Sequence, residues 1–160
     1  MSNITTMNAK DTLSAKLAEC FVTIGNNRYN LMQARNLEAK FEKKKTEVPI
    51  LGRTANGNKA SGWKGSGSAN LYYNTSVFRQ AALDYKNTGN DVYYDIQITN
   101  EDPTSSAGRQ TVILKDVNFD SLILAKFDAT SDDPLDEDVD FTFEDFDMPE
   151  SFNLLDGMLG

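Results

Sequence analysis

Asp136, Asp138 and Asp140 have the spacing of the first three ligands of a calcium-binding loop, whose alternating oxygens converge on a hard cation. The glycine on which such a loop turns is replaced by Phe141, and the twelfth position is Asp147 instead of Glu. Carboxylates alternating along the outer face of a strand account for the same residues, so no metal site is assigned. Gly65-Ser66-Gly67-Ser68-Ala69 has the small-residue texture of a phosphate cradle, but no Gly-Lys-Ser/Thr follows. The next residues, Asn70-Leu71-Tyr72-Tyr73, read as strand where a cradle needs a helix, and nucleotide binding is discarded there. Lys43-Lys44-Lys45 would suit nucleic-acid phosphates, yet beside Glu42 and Glu47 the triplet reads as the solvated end of a strand. The chain has no histidine, which excludes imidazole-based triads and His-containing zinc sites. Its one cysteine, Cys20, has no partner for an intrachain disulfide and reads as a small buried side chain in a first strand. No nucleophile–base constellation stands out. The chain is read as a non-enzyme with no cofactor.

The elements that carry these residues are mostly strands. The clearest period lies in Val139 to Pro149, where Val139, Phe141 and Phe143 alternate with Asp140, Thr142 and Glu144, as a half-buried strand requires. Pro149, which lacks an N–H, is expected to end it. Earlier, Lys16 to Ile24 predicts a strand and Gly25-Asn26-Asn27 a tight turn, with Tyr29 to Met32 returning. Ala34 to Lys44 predicts a long strand through Leu37, Ala39 and Phe41. Residues 46–65 lack a clear period and are read as one long loop; its apolar residues Val48, Ile50, Leu51 and Trp63 suggest a core cover or a partner contact. Ser76 to Lys86 is the one convincing helix, with Asn74, Thr75 or Ser76 as cap, Val77, Phe78, Ala81, Ala82 and Tyr85 on one side, and Gly89 beyond its end. The β pattern resumes at Val92 to Ile98 and at Gln110 to Phe119. There the parity shift between Leu114 and Val117 predicts a bulge near Lys115-Asp116. Asp120 to Phe127 is expected to add an apolar strand before the acidic loop 128–138.

Charge is distributed asymmetrically. All 16 Lys and Arg lie between Lys10 and Lys126, whereas residues 128–160 hold 12 of the 24 acids and no base. That is about +4 followed by −12, which fits either a solvated acidic tail or a surface that docks on a basic one, such as a neighbouring copy. At 160 residues the chain predicts one domain over 14–151, with a flexible extension over 1–13 and a tail over 152–160. No apolar run reaches signal-peptide or membrane-spanning character, so the expectation is a soluble chain outside the ordinary secretory route, with no membrane insertion.

Three motifs in order, Glu47-Val48-Pro49-Ile50-Leu51-Gly52-Arg53, Asp116-Val117-Asn118-Phe119-Asp120-Ser121 and Phe141-Thr142-Phe143-Glu144-Asp145-Phe146-Asp147-Met148-Pro149-Glu150, resemble the tail tube family of PBSX-like phages. The resemblance runs from about Asp11 to Ser151 and extends to inner tubes of contractile (R-type) bacteriocins, including clostridial, diffocin-like ones. It implies a mainly β (α+β) fold, an antiparallel β-barrel or sandwich with one packed α-helix. It further implies hexameric rings of this chain stacking into a hollow tube within a sheath protein, with baseplate and tail-terminator proteins as further partners. Assembly in the bacterial cytoplasm, release in a virion or bacteriocin particle, and DNA only as passing cargo in a phage follow from the same resemblance. It places Val48, Pro49, Ile50, Leu51, Gly52 and Arg53 at the contact between rings, and Trp63 in the same long loop is grouped with them. A monomeric β-sandwich binding module is the competing reading, and an Asp-pair hydrolase a further one.

Overall fold

The computed structural model describes residues 4–160. Its strands are β1 (Ala18–Ile24), β2 (Asn27–Asn30), β3 (Ala34–Val48), β4 (Gly57–Tyr72), β5 (Tyr94–Glu101), β6 (Arg109–Ser121), β7 (Asp136–Phe143) and β8 (Asp145–Glu150). One helix, α1 (Val77–Thr88), lies between β4 and β5. The chain divides into two compact units made of interleaved segments.

The first unit comprises residues up to Met32, Tyr94–Lys115 and Phe146–Gly160. Its sheet begins with the β1–β2 hairpin, where Gly25 takes φ 60°, the sign that a type II′ turn needs at its first central residue. β1 pairs antiparallel with β5, setting Val22 against Ile96, both buried. Near the N-terminus the Asp11 carboxylate accepts hydrogen bonds from the Ser106 N–H (2.9 Å) and hydroxyl (2.8 Å), and the Ser105 hydroxyl donates to the Asp11 carbonyl. Residues 1–3 of the proposed extension lie outside the described residues. The tail 152–160 is largely exposed, but the Asn153 N–H donates to the Ala107 carbonyl at 2.7 Å.

The second unit comprises Gln33–Tyr93 and Asp116–Asp145. Its sheet runs β6–β7–β4–β3, all antiparallel. The alternation read in Val139–Phe143 holds, with Glu137, Val139, Phe141 and Phe143 buried and Asp138, Asp140 and Thr142 exposed. The strand breaks at Glu144, however, and Asp145–Glu150 forms β8, which pairs with β6. Pro149 sits inside β8 and does not end it, which proline tolerates where its missing N–H faces no partner. The apolar strand expected over Asp120–Phe127 ends at Ser121; beyond it Leu124 and Phe127 are exposed with no strand to alternate against.

Helix α1 starts one residue later than expected, with the Thr75 hydroxyl accepting from the Val77 N–H, and stops at Gly89, whose left-handed φ of 77° lets its N–H reach the Tyr85 carbonyl. The helix packs on the sheet through Phe78, which meets Phe119 edge-on at 4.5 Å. Beside it, the Arg79 guanidinium reaches the buried Glu137 at 2.5 Å, stacks over the Tyr73 ring and donates to the Thr75 and Ile123 carbonyls. β6 serves both units, and Asp116, where the second begins, has φ 54°, alone among the described non-glycine residues in being positive. Leu114 and Val117, three residues apart, are both buried, a change of parity across Asp116, while the β6–β7 register itself shifts further on, between Phe119 and Ser121.

Candidate assembly interface

The segment 46–65 is not a loop. β3 continues to Val48 and β4 begins at Gly57, in register from Val48↔Gly57 to Ala34↔Leu71, so only residues 49–56 connect them. Sequence periodicity failed here because alternation marks burial on one side, and this part of the hairpin is exposed on both. β7 borders β4 only from Gly65 to Tyr72. Beyond that border, residues 42–48 and 57–64 form a two-stranded ribbon roughly 25 Å long. A bulge at Ser61, with Gly62 at φ 149°, interrupts it.

Six of the seven residues expected at an interface meet at the ribbon's end. Val48 closes β3; Pro49 leads into a turn in which the Arg53 N–H donates to the Ile50 carbonyl at 3.2 Å. Gly52 sits third in that turn with φ 83°, the sign a type II turn requires. Ile50 folds back over Gly57, its Cδ1 3.0 Å from where a Cβ would stand there. Leu51, at the apex, is wholly exposed at 103%. An apolar side chain presented this way loses nothing by being covered and gains hydrophobic free energy when it is.

Trp63 is not part of this tip. It lies in β4 opposite Lys43, about 20 Å back along the ribbon. Its ring stacks on Phe41 at 4.9 Å and approaches Phe143 at 6.3 Å. Phe143 lies over Gly65 and Phe141 over Gly67, where an added Cβ would meet the Phe141 ring and the Glu38 carbonyl at 2.5 Å. The glycines that suggested a phosphate cradle therefore make room for aromatic rings. A row of aromatics runs from the helix-covered Phe78, Phe119 and Phe141 through Phe143 to Trp63 and Phe41, the last two 39% and 45% exposed. Phe41 was read only as a strand residue; its partnership with Trp63 depends on a register that the sequence did not reveal.

The ribbon is also basic. Residues 42–64 carry Lys43, Lys44, Lys45, Arg53, Lys59 and Lys64 against Glu42 and Glu47. Its one ion pair among the described residues is Lys64–Glu42, exposed at 3.6 Å. Two of the carboxylates weighed as calcium ligands have protein partners: Asn70 donates to Asp136 (3.0 Å) and Asp138 (2.8 Å), and Arg35 and Lys126 pair with Asp136. The Asn70 hydrogen bond, the largest influence, outweighs burial and with smaller help from Lys126 and Arg35 holds the Asp136 carboxyl below its usual range. Burial pushes the Cys20 thiol up to about 11, leaving it protonated and a poor nucleophile at neutral pH. No helix among the described residues is long and apolar enough to cross a membrane.

Comparison with known proteins places the whole hairpin in context. A family model described as "Phage tail tube protein" matches residues 5–150. The "Phage-like element PBSX protein XkdM" of Bacillus subtilis (strain 168) is 39% identical over 147 residues, covering 92% of this chain and 97% of that protein. Two solved chains of an extracellular contractile injection system share the fold. One, from the PVC sheath/tube terminator in the extended state, has a TM-score of 0.63 at 15% identity and covers 89% of this chain and 100% of its own. The other, from the PVC sheath-tube complex, has 0.62 at 14% and covers 89% and 94%.

Proposed function

The chain belongs to the phage tail tube protein family, and on that premise we propose that its copies close into hexameric rings stacked through the tip of the β3–β4 ribbon. It is a structural tube subunit of a phage tail or a related contractile particle. Within that role the protein acts by binding alone, without catalysis or cofactor. The observation that carries the stacking reading is the ribbon itself: two strands that leave the sheet, bury nothing of their own and end in the fully exposed Leu51. A two-stranded ribbon is at best marginally stable by itself, so a neighbouring copy is its natural support.

Val48, Pro49, Ile50, Leu51, Gly52 and Arg53 form the axial contact, and Trp63 with Phe41 lies on the aromatic face that the neighbour covers. β3 is the outer strand of its sheet, with an unpaired edge on which an adjacent subunit continues the ladder around the ring. Such contacts are heterologous and close by rotation, while the ribbon extends the assembly along the axis. A sheath protein surrounds the tube, with baseplate and tail-terminator proteins at its ends. Assembly takes place in the bacterial cytoplasm, and DNA, where the particle is a phage, passes through as cargo.

Negative-stain microscopy over a concentration series tests this. The wild-type protein forms hollow tubes with six subunits per layer, alone or on a baseplate nucleus. Leu51→Asp removes stacking and leaves a folded ring or monomer, its stability within about 0.5 kcal/mol of wild type. Undiminished tubes from that variant would remove the tip from the contact.

A further inference from the structure

We propose that the basic stem of the ribbon docks on the acidic loop 128–133 of a second copy, and that this charge pairing controls when tubes form. The inference rests on the tube reading and specifies the chemistry of its axial contact. Lys43, Lys44 and Lys45 are exposed and consecutive, so they project from both faces of β3, and Lys59 adds to one of them. Among the described residues none of the four has a carboxylate within ion-pair distance. The loop before β7 presents Asp128, Asp132 and Asp133, all exposed, with no base from residue 127 onward. Among the described residues no ion pair joins Asp132 or Asp133 to a cation, and Asp128 is held by the Thr130 N–H and hydroxyl.

Ribbon and loop belong to the same unit, yet the fold leaves their opposite charges unpaired with each other. Two such surfaces on one chain are complementary between copies and repulsive to themselves. A head-to-tail contact through them leaves one of each free on every added copy and so extends indefinitely. Exposed charges contribute more to encounter rate and register than to affinity and are screened within about 10 Å at 0.1 M salt. Polymerisation is accordingly salt-sensitive, while the apolar tip supplies the part of the contact that salt leaves intact.

The experiment measures the critical concentration for tubes by sedimentation, with thermal unfolding as a check on each variant. Raising salt raises the wild-type value about tenfold across the range in which the Debye length falls from roughly 30 Å to 3 Å. Lys43→Glu/Lys44→Glu/Lys45→Glu blocks assembly at low salt, as does Asp128→Lys/Asp132→Lys/Asp133→Lys. The chain carrying both triplets assembles again, because the pairing is restored with signs exchanged. Failure of that combined variant, with both parents folded, overturns the proposal, as does a salt-independent wild-type threshold. Wild-type protein that forms no tube even on a baseplate nucleus instead overturns the tube reading beneath it.

Discussion

β3 and β4 pass through two environments in one hairpin. From Gly65 to Tyr72, β4 has β7 along its free side, and the buried Phe141 and Phe78 are linked through the half-buried Phe119. From Gly57 to Lys64 the same strand has only β3 beside it and water on both faces. The ladder hydrogen bonds are alike; what differs is everything that lies above and below them. Backbone pairing alone thus extends a ribbon into solvent, but burial fixes which residues it tolerates. One half of the hairpin carries the fold, and the other stands in solvent with Leu51 at its tip.

Matched substitutions in the two halves sharpen this contrast. Glu137→Ala strands Arg79 in a site where the two side chains are 1% and 15% exposed, and costs about 3–5 kcal/mol. Glu42→Ala, which breaks the exposed pair with Lys64, costs less than about 1 kcal/mol. Chemical denaturation of both variants gives the ratio, and equal losses would erase the distinction. Gly67→Ala drives a methyl into the Phe141 ring and the Glu38 carbonyl and costs about 1–3 kcal/mol. Gly57→Ala meets only the flexible end of Ile50 and stays within about 0.5 kcal/mol.

Acid reveals the smallest difference. Asp136 has a folded value below its ordinary 3.8, so its stabilisation is fully present above that pH and is lost as pH falls through the lower folded value. Asp136→Asn therefore lowers stability near neutrality and flattens the acid limb below about pH 4. A denaturation midpoint that keeps the wild-type pH slope in this variant would show that another carboxylate carries the acid response.

Where burial and periodicity coincide, the sequence was legible. Val139–Phe143, α1 and the parity shift at Asp116 could be read because each sets apolar residues against a core. The family motifs made the tube role legible as well. The ribbon was not, since Ala60, Ser61, Gly62 and the lysines around them alternate nothing and bury nothing, and their pairing shows only in the register with β3. The residues expected at an interface divided along the same line. Val48–Arg53 are contiguous and stayed together, whereas Trp63 was grouped with them by proximity in sequence and stands five paired rows back along the ribbon. The Arg79–Glu137 pair was hidden because an acid inside an acidic stretch looks solvated until its partner from another element is seen.

Asp116 gives β6 one point of unusual tolerance to a change in chain length. Side chains alternate with period two, so losing one residue in a strand turns every later side chain to the opposite face. At this joint the strand already carries one residue out of step, in a left-handed conformation that Asp and Asn tolerate and β-branched residues do not. Losing that residue would bring Val117 and Phe119 into step with Leu114 and leave them on the face they share across the irregularity, so an in-frame loss can pass at this joint, as a substitution to Asn or Gly can, where it would fail elsewhere in the strand.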